Sequence, residues 1–205
     1  MSKYGLNTGD ILLFSSKGRG IFRPFDFLIK YFTHSPYTHI GMILKDPEFI
    51  HPSLKGYYVW ESSWNGTPDP QDGKIKLGVQ ITPFNELIEH SKENNGKVFY
   101  RKFLNNDDSF TNEKLTTIHN TVYCKPYDLV PKDWIDMATH HENSMDGKNT
   151  KRFWCSALVG YIYTKCGILS ESTEWSCLSP ADFSSNSEDI AFIDNQRFVT
   201  NDIEI

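Results

Sequence analysis

The sequence predicts an α+β fold in which a mainly antiparallel sheet packs against helices. Three observations lead there. Short β-prone runs bounded by Gly, Pro, Asn and Asp fill the first half of the chain. Apolar residues at helical spacing dominate the second half. With strands grouped ahead of helices rather than alternating with them, the pattern is α+β. The chain has 205 residues, enough for a real core, and is 14% aromatic. No internal repeat, low-complexity tract or linker interrupts it, so residues 1–205 read as a single domain.

In order, Asn7-Thr8-Gly9-Asp10 is a turn cluster, and Ile11 to Phe14 is a strand of the buried kind. Ser15 to Gly20 is a loop. Ile21 to Phe32 is crowded with aromatics and reads as a short helix with Pro24 in its first turn. Core and the wall of an apolar substrate pocket are both open readings for it, and core is favoured. Thr38 to Leu44 is a strand that begins at His39. Tyr57 to Trp64 is a β-prone run with Glu61 inside it. After a polar loop from Asn65 to Lys76, Val79 to Ile81 is a short strand. Thr82 is the expected N-cap, and Pro83 the first residue, of a helix through Leu87 and Ile88. Lys97 to Phe103 alternates as a strand. From Thr111 a helix aligns Leu115, Ile118 and Val122. Ser179-Pro180 is an expected helix start, and Ala191 to Ile193 a weak last strand.

The segment from Phe153 to Gly167 is the chemical centre. Leu158, Val159, Ile162 and Cys166 recur at helical spacing, and Gly167 is a natural stop. Cys155 falls in the first turn. There the backbone N–H groups lack intrahelical partners and the dipole favours an anion such as a thiolate. Cys155 also lies on the Leu158–Val159–Ile162 stripe, so a buried structural cysteine is the competing reading.

A thiol nucleophile needs a base, and the base needs a third group to orient it. His39, at the start of one strand, is the candidate base. Glu61, in the next strand, is the candidate orienting carboxylate, because neighbouring antiparallel strands set such residues side by side. There are six other histidines, and Glu61 could instead lie on an exposed face. His140-His141 lacks paired ligand spacing with the cysteines, so no metal and no cofactor are expected.

The net charge of −5 argues against non-specific nucleic-acid binding. The four cysteines show no CxxC pair and no framework spacing, which suggests a reducing compartment. The first residues carry no apolar run, and no stretch approaches a membrane span. A cytoplasmic location is therefore expected.

Six motifs then appear in order: Gly9-Asp10-Ile11, His34 to Met42, Val59-Trp60-Glu61, Lys125-Pro126-Tyr127-Asp128, Trp154-Cys155-Ser156 and Ser179-Pro180-Ala181-Asp182. Together they resemble the circularly permuted papain-fold cysteine hydrolases of the NlpC superfamily, in particular the YiiX-like group. The resemblance spans Gly9 to about Phe183 and implies a permuted papain-like fold. It implies a thiol mechanism with Cys155 as nucleophile, His39 as base and Glu61 as the residue orienting the histidine. One departure is Ala157, where the group often carries an acidic residue. The implied substrates are peptides, amide conjugates or lipid esters, since the permuted branch includes lecithin:retinol acyltransferase-like enzymes. Lipid acyl transfer or phospholipase activity is thus the alternative within enzymes, and a non-catalytic ligand-binding module the alternative outside them.

Overall fold

The computed structural model describes residues 5–15, 35–104, 109–129, 150–187, 190–194 and 196–205. The expected helix from Ile21 to Phe32 and the His140-His141 pair lie outside the described residues. The described residues form eight strands: β1 (Ile11–Ser15), β2 (His39–Lys45), β3 (Tyr57–Ser63), β4 (Gly78–Pro83), β5 (Lys97–Arg101), β6 (Phe103–Leu104), β7 (Arg197–Phe198) and β8 (Ile203–Glu204). Six of them form one sheet in the order β4-β3-β2-β1-β5-β8, and each neighbouring pair is antiparallel. Strands β6 and β7 form a separate two-stranded ladder.

The register pairs Leu13 with Ile40, Met42 with Trp60 and Trp60 with Ile81. Side-chain alternation along each strand then separates two cores. Ile11, Leu13, Ile40, Met42, Trp60 and Ile81 pack with α2 (Asn112–Val122) and α3 (Cys155–Lys165). Leu12, Phe14, Ile43, Val59, Val98 and Tyr100 pack with Leu87 and Ile88 of α1 (Phe84–Glu93). Helices thus cover both faces of the sheet, which is why β1 and β2 read as continuous apolar runs rather than alternating ones. The α+β class with a mainly antiparallel sheet agrees with the sequence.

Helix α2 follows the sequence closely: Thr111 is its N-cap, accepting from the Lys114 N–H, and Leu115, Ile118 and Val122 are its buried face. Helix α3 departs from expectation. Every residue from Cys155 to Thr164 is buried, so there is no single apolar stripe. Strands β2 and β3 flank it, and so does the 3-10 turn Trp175–Cys177. The turn approaches so closely that a Cβ at Gly160 would stand 2.8 Å from Leu178 Cδ1 and 3.0 Å from Trp175 Cβ.

Three local expectations are corrected. Thr82 does not cap α1; it lies inside β4 with its side chain engaged elsewhere, and Pro83 takes the N-cap place. Ser179-Pro180 starts a turn rather than a helix, held by the Ser179 N–H donating to Asp182 Oδ2 at 2.7 Å. Ala191 to Ile193 contributes only an isolated bridge, Phe192 to Leu169. The C-terminal residues instead supply β7 and β8. Asp202 anchors them by accepting from Tyr37 Oη at 2.8 Å and Ser185 Oγ at 2.9 Å, with Arg101 Nε 3.4 Å away. All four cysteines are free thiols. Among the described residues, no helix is long and apolar enough to cross a membrane.

Candidate active site

The site is assembled where the N-terminus of α3 meets the ends of β2 and β3. The chain leading into Cys155 is docked onto sheet edge β4. Val79 N–H donates to Lys125 O at 2.9 Å, and Pro126 bridges Gly78. Gly78 has φ +146°, and a Cβ there would lie 2.3 Å from Lys125 O and 2.8 Å from Pro126 Cα, so only glycine admits this approach. Phe153 then pairs in parallel with Tyr127. Its N–H donates to Pro126 O at 3.1 Å, and its carbonyl accepts from Asp128 N–H at 3.2 Å. Arg152 Nε stands 3.0 Å from Asp128 Oδ1. The Lys125-Pro126-Tyr127-Asp128 motif is therefore the strip on which the cysteine segment is laid.

Trp154 is the N-cap of α3, in extended conformation, and the first intrahelical bond runs from Leu158 N–H to Trp154 O at 3.1 Å. Cys155 is the first helical residue. The residues on either side of it are tied to one carbonyl: Ser156 Oγ donates to Leu178 O at 2.6 Å and Trp154 Nε1 at 3.4 Å.

His39 opens β2, opposite Phe14, and its ring packs against the Phe14 ring with centroids 5.2 Å apart. Its Nε2 lies 2.6 Å from Glu61 Oε2. A carboxylate can only accept, so Nε2 carries the proton and Nδ1 is left for another partner. Cys155 lies beside the same ring and acts on it together with Glu61. The His39 side chain is 22% exposed and that of Glu61 1%, so the base has access from outside while its orienting carboxylate is sealed. Burial on its own disfavours the imidazolium. Hydrogen bonds to Cys155 and Glu61, and negative charge on both, outweigh it and hold the His39 pKa up at about 10.

Glu61 has a further partner. Thr82 Oγ1 donates to Glu61 Oε1 at 2.7 Å, and Asn65 Nδ2 donates to Thr82 Oγ1 at 2.8 Å. A chain of contacts thus runs Asn65–Thr82–Glu61–His39–Cys155 across three strands and one helix. The three residues singled out in the sequence come together; Thr82, Asn65 and Gly78 escaped it. Thr82 stands two residues from Gln80, which pairs with Glu61, so only knowledge of the β3–β4 register would have brought it forward.

The other groups named in the sequence take structural places. Asp10 is buried and accepts from Tyr100 Oη at 2.8 Å and from the Phe103 and Asn7 N–H groups at 2.9 Å each, which ties the first strand to the β5–β6 turn. Cys166 is 2% exposed, and burial pushes its thiol up to about 12 against the pull of the Lys114 charge. Ala157 is buried in the core, so no acidic group occupies that position beside the cysteine. No protein-family model matches this chain, and a search of characterised proteins returns no match.

Proposed function

We propose that the protein is a cysteine hydrolase that cleaves an amide or ester bond through an acyl-thioester. The observation that carries this reading is the environment of His39: its Nε2 on a sealed carboxylate at 2.6 Å, and beside the same ring a cysteine in the first turn of a helix. The resemblance to permuted papain-fold hydrolases supports the same roles.

The steps follow from the groups present. The Cys155 sulfur attacks the carbonyl carbon, and its proton is held by His39. Negative charge gathers on the carbonyl oxygen, within reach of the backbone N–H groups at the start of α3, which have no intrahelical acceptors. The C–N or C–O bond breaks as the His39 imidazolium gives its proton to the leaving amine or alcohol. Water then attacks the thioester, with His39 taking its proton and returning one to the leaving sulfur. Glu61 neutralises the imidazolium while it exists and keeps Nδ1 aimed at the sulfur.

A turnover screen of peptide, isopeptide and lipid-ester substrates, run on wild type and Cys155→Ser, tests this. Wild type should turn over at least one class and the serine variant none. Substantial residual turnover in the folded serine variant would overturn the nucleophile assignment. The class that turns over separates amidase from lipid-ester chemistry.

A further inference from the structure

Ser62 is one residue past Glu61 and points to the other side of β3. It is fully buried, and its Oγ donates to the carbonyl oxygen of Phe153 at 2.6 Å. Phe153 is two residues before Cys155, and its backbone is also held by the Pro126–Asp128 strip. We propose that Ser62 is a positioning residue for Cys155, fastening the segment that carries the nucleophile to the strand that carries Glu61. This rests on the hydrolase reading above.

The geometry gives the reason. Catalytic groups on separate elements must be held within a fraction of an ångström. His39 is referred to β3 through Glu61. Cys155 belongs to α3 and reaches it through a loop segment. The Ser62 hydroxyl supplies a direct hydrogen bond from β3 to that segment. Adjacent residues of one extended strand cannot shift independently, so Glu61 and Ser62 impose a common frame on base and nucleophile from opposite faces. The role is separable from folding, because Phe153 O also accepts from the Asp128 N–H and is not orphaned when the hydroxyl is removed.

The test uses the whole chain and needs no substrate. Alkylation by iodoacetamide at neutral pH is followed at each cysteine by mass mapping, and the His39 ring is titrated by NMR. In wild type, Cys155 should react fastest of the four and the ring should titrate near pH 10. Ser62→Ala should slow Cys155 about tenfold and lower the ring's midpoint, since the thiol no longer meets Nδ1. Ser62→Thr, which keeps the hydroxyl, should restore both. Thr164→Val, which removes another buried hydroxyl bond (to Gly160 O, 2.9 Å), is the control and should change neither. If Ser62→Ala does not fold, Ser62→Cys replaces it; a thiol is a weak donor, and the same losses at Cys155 are expected. A folded Ser62 variant with wild-type Cys155 reactivity and ring titration overturns the proposal while leaving the triad intact. A wild type whose Cys155 reacts no faster than the other cysteines, with an ordinary ring titration, overturns the triad itself.

Discussion

Thr82→Val probes the support behind the base. Valine keeps the shape of threonine and exchanges the hydroxyl for a methyl group. The change removes the 2.7 Å donor to Glu61 Oε1, on a buried carboxylate. A hydrogen bond to a charged group contributes about 1.5–3 kcal/mol, and an orphaned buried acceptor costs a similar amount. The Asn65 amide loses its acceptor as well, but it is half-buried and water can replace that bond. A loss of about 2–3 kcal/mol in urea-unfolding free energy is expected on that basis. The chemical consequence comes through orientation. A Glu61 without the Thr82 hydroxyl can pivot, and if about 1.4–2.8 kcal/mol of alignment is lost, turnover falls roughly ten- to hundredfold. Thr82→Ser, which restores the hydroxyl, should recover most of both. If Thr82→Val is less stable but turns over like wild type, the Thr82–Glu61 contact is structural only. If stability and rate are both unchanged, Glu61 does not depend on Thr82.

The pH dependence has a definite sign. The folded pKa of His39, about 10, lies above the ordinary value of about 6.5, so its stabilising contribution is complete below pH 6.5 and is lost as pH climbs through 10. Unfolding midpoints should decline over that window, and the decline should shrink in His39→Gln. Glu61→Gln should lower the His39 ring titration midpoint, because one of the two negative partners is gone. Gly78→Ala places a Cβ 2.3 Å from Lys125 O and must push the Pro126–Asp128 strip off β4, so Cys155 alkylation should slow together with a fall in melting temperature; unchanged values would mean that the strip does not position Cys155. Cys166, with its thiol held near 12, should alkylate far more slowly than Cys155 at neutral pH, and label accumulating first on Cys166 would reverse the ranking of the two thiols.

How much of this was legible before the structure differs by element. β1, β2 and β3 were, because turn residues such as Gly9-Asp10 and Asp46-Pro47 bracket apolar runs, and α2 was, because Thr111 and the Leu115–Ile118–Val122 spacing are local signals. Cys155, His39 and Glu61 could be named because nucleophile, base and carboxylate are chemically distinctive residue types. What escaped depends on pairing between segments far apart in the chain. Thr82 beside Pro83 looks like a helix cap, and only the β3–β4 register turns its hydroxyl towards Glu61. The Ser62 hydroxyl meets a carbonyl 91 positions away. The all-round burial of α3 follows from the Trp175–Leu178 turn lying against Gly160, which no window over α3 reveals. The edge strand β8 is two residues long and carries too little pattern to show a period.

In the proposed mechanism Cys155 becomes acylated with the help of His39. The most direct measurement is acid-quenched mass mapping after brief exposure to p-nitrophenyl acetate, on wild type and His39→Ala. The expected result is one acetyl group on Cys155 in wild type, formed within the burst and then lost on longer incubation, and strongly reduced acetylation in His39→Ala. A wild type that never carries acetyl on Cys155, or a His39→Ala variant acetylated there as fast as wild type, would contradict it.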